Sequence, residues 1–231
     1  EGAFEKGQRK GVGICHYANG DVYLGFWDKN ARCGEGELQY SSGDVYKGTW
    51  DDGCRHGKGV YMWVDGSYYS GQWDRDLRDG TGTMSWSDSS EYRGSWVKGL
   101  REGQGEFRSG NYSYSGLWKN DLENGNGICT LPNGDTYKGQ FKNGTISGQG
   151  NYVFANGDSY NGSFKDGMAD GKGVFTWAEG SVYDGEWKEN RRDGTGRMKW
   201  ANGDSYEGEW KDDVAWGNGS MILADGTIYS G

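Results

Sequence analysis

Apolar and polar positions alternate in short runs along this chain. In residues 11–27, Gly13, Cys15 and Tyr17 share one parity, and beyond Asn19-Gly20 so do Tyr23, Gly25 and Trp27. Side chains two apart on a strand point to the same face. Asn-Gly is a strong hairpin signal, so the segment predicts two antiparallel strands closed by a three-residue loop with Gly20 left-handed. Setting large side chains against small ones would pair Tyr17 with Tyr23, Cys15 with Gly25 and Gly13 with Trp27.

The unit recurs every 23 residues. The triplets are Tyr23-Gly25-Trp27, Tyr46-Gly48-Trp50, Tyr69-Gly71-Trp73, Tyr92-Gly94-Trp96, Tyr114-Gly116-Trp118, Tyr137-Gly139-Phe141, Tyr160-Gly162-Phe164, Tyr183-Gly185-Trp187 and Tyr206-Gly208-Trp210. Glycine pairs, from Gly11/Gly13 to Gly217/Gly219, lie between them. A fixed period of this length predicts an array in which each unit is buried by its neighbours. The expected fold is all-β: about ten consecutive hairpins over residues 1–231, forming one twisted, rod-like sheet on the order of 95 Å long. A truncated unit is expected at each end, and an irregular stretch at about 87–115. There the turn Ser87-Asp88-Ser89-Ser90 lacks the glycine found at Gly43, Gly66, Gly134, Gly157, Gly180, Gly203 and Gly226. The fifth unit is also one residue short, with Ser109 where Tyr17, Tyr40, Trp63 and Trp86 stand earlier. It is either a bend in the stack or a deletion tolerated at a solvent turn.

Composition narrows the function. The chain has 231 residues with 45 Gly, 1 Pro and 15% aromatic residues. Aromatics at fixed positions exclude disorder, because disordered chains are poor in them. The net charge of −9 argues against nucleic acid, which needs a basic face, and disfavours anionic lipid. The 4 Cys are unevenly spaced, which fits a reducing compartment better than a disulfide framework. The chain opens without Met and stops mid-unit at Tyr229-Ser230-Gly231, so it is expected to be cut from something longer.

Tyr-x-Gly-x-Trp, six residues, Gly-x-Gly, then an aromatic strand and an Asn/Asp-Gly turn: this run resembles the MORN (membrane occupation and recognition nexus) repeat. Tyr46–Gly59 and Tyr206–Asp213 carry the likeness best, and the nearly all-repeat cytoskeletal scaffold members of protists are the most similar kind. The resemblance implies an elongated hairpin array used for protein contact and scaffolding, and the residues themselves predict no enzymatic activity. It further implies a homodimer formed through the C-terminal repeats (about 160–231) and a cytoplasmic, cytoskeleton-associated location. Lipid binding is the alternative that the family name records, and a regulatory segment of a larger enzyme or membrane protein is another.

Three sets of residues are candidates for function. The triplet aromatics Tyr23, Trp27, Tyr46, Trp50, Tyr69, Trp73, Tyr92, Trp96, Tyr114, Trp118, Tyr137, Tyr160, Tyr183, Trp187, Tyr206 and Trp210 are expected to be the repeat core. Tyr17, Tyr40, Trp63, Trp86, Trp177 and Trp200 are expected half exposed along a partner-binding groove, because Tyr and Trp dominate interface hot spots. Arg9, Arg32, Arg55, Arg78 and Arg101 form a basic ladder, lapsing at Glu123, Ile146 and Ala169 and returning at Arg192. It would either grip an acidic segment or headgroup, or pair with Asp28, Asp51 and Asp74. No cofactor is expected. The weak candidate for zinc is Cys33, Cys54 and His56, whose spacing matches no standard pattern. Only His16 and His56 are available as bases, and no helix or Lys-Ser/Thr follows the Gly-x-Gly pairs, so neither a catalytic triad nor a phosphate loop is expected.

Overall fold

A computed structural model describes residues 1–231 and contains strands only. A regular repeat contributes a nine-residue strand, such as Gln8–His16, and a seven-residue strand, such as Val22–Asp28; around the short fifth repeat these become Leu100–Ser109 and Tyr112–Lys119, of ten and eight residues. Neighbouring strands pair antiparallel in sequence order. The residues fall into two compact units, Glu1–Gly110 with Trp118–Asp121, and Asn111–Leu117 with Leu122–Gly231. The dividing line runs through the short fifth repeat.

Two kinds of turn alternate. Within a hairpin, Tyr17 N–H donates to Asp21 O and Gly20 N–H to Tyr17 O, closing the three-residue loop with Gly20 at φ 92°. Between hairpins, two residues turn the chain with both φ values positive, as in Lys29 (46°) and Asn30 (69°); this geometry matches the right-handed twist of the flanking strands.

The register differs from the expected one by two residues. Cys15 faces Tyr23, Gly13 faces Gly25 and Gly11 faces Trp27. Glycine therefore faces glycine in strand after strand: Gly25, Gly36, Gly48, Gly59, Gly71 and Gly82 in the first unit. The reason is the tyrosine. The Tyr23 ring lies flat over Gly25 and Gly36, where an added Cβ would fall 2.4 Å and 2.3 Å from its hydroxyl oxygen. Only a row without side chains admits the ring.

The other glycine of each pair bends the strand. Gly34 (φ 58°) and Gly57 (φ 66°) stand where the long strand carries extra residues against the preceding short one. Such a bulge bends and twists its strand. The bend brings Arg9 Nη1 to 3.5 Å from Cys15 Sγ, six residues along the same strand, whereas a straight strand would separate their backbones by roughly 20 Å. The aromatic face is therefore the concave side of each bent strand.

The core is one layer of rings on that face. Tyr23 meets Trp27 at 5.1 Å and Trp50 of the next repeat at 5.4 Å, both edge to face. Tyr46, Tyr69, Tyr92 and Tyr183 repeat the arrangement. Each Tyr hydroxyl donates to the carbonyl three residues on, such as Tyr46 to Thr49 O at 3.0 Å. That carbonyl lies where the register breaks, so the phenol serves a group the bulge takes out of the ladder. Burial pushes the Tyr69, Tyr92 and Tyr183 phenols up to about 12.

Candidate functional site

The arginine ladder is built into the repeat junctions. Arg9, Arg32, Arg55, Arg78, Arg101 and Arg192 lie over Trp27, Trp50, Trp73, Trp96, Trp118 and Trp210, with guanidinium carbons 3.9–4.4 Å from the ring centroids. Each also donates to a carbonyl in the turn that follows the capped tryptophan, such as Arg32 to Gly53 O at 2.7 Å and Arg78 to Gly99 O at 2.9 Å. The expected partners Asp28, Asp51 and Asp74 are not the ones used. Arg55, Arg101 and Arg192 pair instead with Asp76, Asp121 and Asp213 at 3.0, 3.1 and 3.0 Å, because the inter-hairpin turn swings the next repeat's second turn residue alongside the guanidinium. At Glu123 and Ile146, where the ladder lapses, the ring one repeat on is Phe141 and then Phe164 instead of Trp.

A second junction, which the sequence reading missed, uses the residue after each turn glycine. Asp21, Asp44, Asp135, Asp158 and Asp204 accept the N–H of Ser41, Val64, Ala155, Ala178 and Ala224 in the following repeat at 2.8–3.0 Å. Ser67 and Ser181 do the same through their hydroxyls. The fixed Gly-Asp/Ser pairing after each turn was the available signal.

The six aromatics expected along a groove are all half-buried. Within each unit they form a third row on the concave face, beyond the tyrosines, and stack on a row the sequence reading did not single out. Tyr61 lies 5.6 Å from Tyr40 and 4.6 Å from Trp63, Phe107 lies 6.0 Å from Trp86, and Phe175 lies 4.6 Å from Trp177. One wall of the concavity thus carries half-exposed rings, and the other carries the arginines. A recess of ≈ 380 Å³ opens between Tyr17 on one side and Arg9 and Arg32 on the other.

The convex side is different in character. Its bare glycine row leaves a furrow of ≈ 800 Å³ in the first unit, flanked by Lys47, Lys58, Ser70, Thr83 and Arg93. A corresponding furrow of ≈ 910 Å³ in the second unit is flanked by Asp184, Glu186, Thr195 and Glu207. Both are open and polar.

No three of the His, Cys, Asp and Glu side chains gather as metal ligands, so Cys33, Cys54 and His56 do not form the zinc set considered above. His56 Nδ1 lies 3.3 Å from Asp74 Oδ1 at the surface. Burial pushes the Cys33 and Cys54 thiols up, and Cys129 to about 11, so they are held as thiols and not as nucleophilic thiolates.

The MORN repeat pattern matches ten consecutive segments, 1–22, 23–45, 46–68, 69–91, 92–113, 114–136, 137–159, 160–182, 183–205 and 206–228. The chain belongs to the MORN-repeat family. From the second onward, each MORN segment begins at the tyrosine that covers the glycine row and ends just before the next such tyrosine. No curated protein sequence matches the chain. Among solved structures, the TCP10 domain of Danio rerio CPAP bound to a peptide of Danio rerio STIL is similar at 12% identity and a TM-score of 0.48, over 95% of this chain and 93% of that one. A structure of the CPAP G-box domain is similar at 13% identity and a TM-score of 0.33, over 96% of this chain and 98% of that one.

Proposed function

We propose that this MORN array is a non-catalytic scaffold that holds extended segments of partner proteins against its concave aromatic face. The observation that carries this reading is the row of half-buried rings, Tyr17, Tyr40, Trp63 and Trp86, facing a wall of fixed guanidinium groups. Tyr, Trp and Arg are the side chains that most often dominate binding energy, and here they are already ordered, so little entropy is lost on contact. The furrows on the convex side carry no Tyr or Trp, and Arg93 there is exposed and pairs with Glu91. Binding of peptides selected on the intact chain should fall by about tenfold or more in Trp63→Ser and Trp86→Ser, and survive Ser70→Arg and Thr83→Arg in the furrow. The opposite pattern would move the contact to the convex face.

Self-association through residues 160–231 belongs to the same proposal. An open array leaves strand edges that a second copy covers at little cost. Sedimentation of the intact chain should give twice the monomer mass, and deletion of those residues should return it to one. An unchanged mass on deletion would refute that placement. A cytoskeletal location is the setting in which such a scaffold would serve.

A further inference from the structure

Six arginines cap tryptophans, but only three of them are neutralised. Arg55, Arg101 and Arg192 have their aspartates at the second residue of the inter-hairpin turn, at φ 70°, 65° and 70°. Asn30 and Gly53 occupy that place beside Arg9 and Arg32. Neither of these guanidinium groups has a carboxylate in ion-pair contact, Asp21 acting on Arg32 only from further off, and both open into the same ≈ 380 Å³ recess.

The two groups are rigid and under-used. Arg32 stacks at 4.0 Å on Trp50 and donates from Nη2 to Gly53 O, leaving Nε and Nη1 without a protein acceptor. Arg9 stacks at 3.9 Å on Trp27 and donates from Nη2 to Asn30 O; its Nη1 has only the Cys15 sulfur at 3.5 Å, a weak acceptor. Asp21 is the one carboxylate lining the recess. Its Oδ1 accepts the Ser41 N–H at 2.8 Å and its Oδ2 accepts the Asn19 amide at 2.9 Å. Adjacent repeats are spaced by two strands, about 9–10 Å, which suits one tetrahedral anion reaching both forks.

We propose that this recess binds a phosphoryl group carried on a side chain of an extended partner segment. The proposal rests on the concave-face reading above and names the chemistry of its partner. Charge-assisted bonds from fixed guanidinium forks favour a compact dianion. An anionic bilayer is the poorer occupant, because the recess lies on a concave face of a chain with net charge −9.

The full chain is tested against a library of extended phosphopeptides and its unphosphorylated counterpart, with calorimetry on the selected pairs and on phenyl phosphate. Phosphorylated members should bind at least about tenfold more tightly. The decisive variant is Asn30→Asp/Gly53→Asp, which gives Arg9 and Arg32 the internal aspartates of the other junctions. Asn30 (φ 69°) already holds the conformation of Asp76, and an added Cβ at Gly53 meets nothing within 4 Å. The left-handed backbone at Gly53 (φ 81°) puts a cost on the new aspartate, so this variant should stay folded with a slightly lower melting temperature and lose the phosphate preference. Gly99→Asp, beside Arg78 and outside the recess, should retain it. Equal affinity for both libraries, or a preference unchanged in the double variant, overturns the proposal. Vesicle binding to phosphoinositides that the double variant abolishes also overturns it, in favour of a lipid. Peptide binding without phosphate preference defeats this inference alone, whereas no peptide binding of either kind defeats the concave-face reading with it.

Discussion

Ser89 holds a left-handed backbone, φ 68°, at the turn position occupied by Gly20, Gly43 and Gly66 in the repeats before it. The turn survives because Asp88 Oδ1 accepts both the N–H and the hydroxyl of Ser90. A side chain in this conformation costs about 1 kcal/mol or more, so Ser89→Gly should stabilise the protein by about 1 kcal/mol, read as a higher denaturant midpoint. Gly36→Ala is the opposite case. Its Cβ would lie 2.3 Å from the Tyr23 hydroxyl and 2.6 Å from the ring, and the ring is fully buried. It should cost about 3 kcal/mol. The same tyrosines set an alkaline limit. Their folded pKa values, about 12 for Tyr69, Tyr92 and Tyr183, lie above the ordinary value of 10.0, so above that pH the unfolded chain loses protons first. Stability should therefore be flat below pH about 10 and fall between about 10 and 12, with phenolate absorbance appearing together with unfolding.

At the scale of the element, a junction is a ring, an arginine and a turn carbonyl. Removing the arginine takes away a cation–ring stack and a charged hydrogen bond at once. Arg55→Gln should cost about 2 kcal/mol, measurable by thermal melting, since Arg55 is largely enclosed and its Asp76 would lose its partner. The hairpins and their three-residue turns were legible in the sequence, because Asn-Gly chemistry and residue parity are local. The register was not. Matching large against small side chains sets Gly13 opposite Trp27, but the tyrosine ring covers two strands at once and needs glycine facing glycine. The arginine partners were equally out of reach, because Arg55 and Asp76 are brought together by a turn and a bulge acting jointly. Within the candidate site, the half-buried row from Tyr17 to Trp200 could be read from its position beside the turns. The second row, Tyr61, Phe107 and Phe175, varies in type from repeat to repeat and leaves no such column.

At the scale of the whole molecule, the two units share one strand. Tyr112–Lys119 gives its first residues to the second unit, while Trp118–Asp121 belong to the first. Trp118 packs 5.2 Å from Tyr92 and under Arg101, and Asp121 holds the Arg101 side chain. A fragment ending at Gly110 would lose all of these contacts. Residues 1–121 should accordingly melt at least about 5 °C above residues 1–110, and equal melting would show that Trp118 contributes nothing to the first unit.

Each tyrosine from Tyr23 to Tyr183 packs on the Trp or Phe ring of the following repeat, and each ladder arginine finds both its ring and its carbonyl further along the chain. Completion therefore runs in one direction. As the polypeptide leaves the ribosome, a repeat that has fully emerged is still missing a ring and a cation's resting place, which arrive only with the residues synthesised afterwards. The growing chain carries one unfinished hairpin at its ribosomal side, and a pause in translation leaves a tyrosine exposed there, together with an arginine wherever the ladder runs.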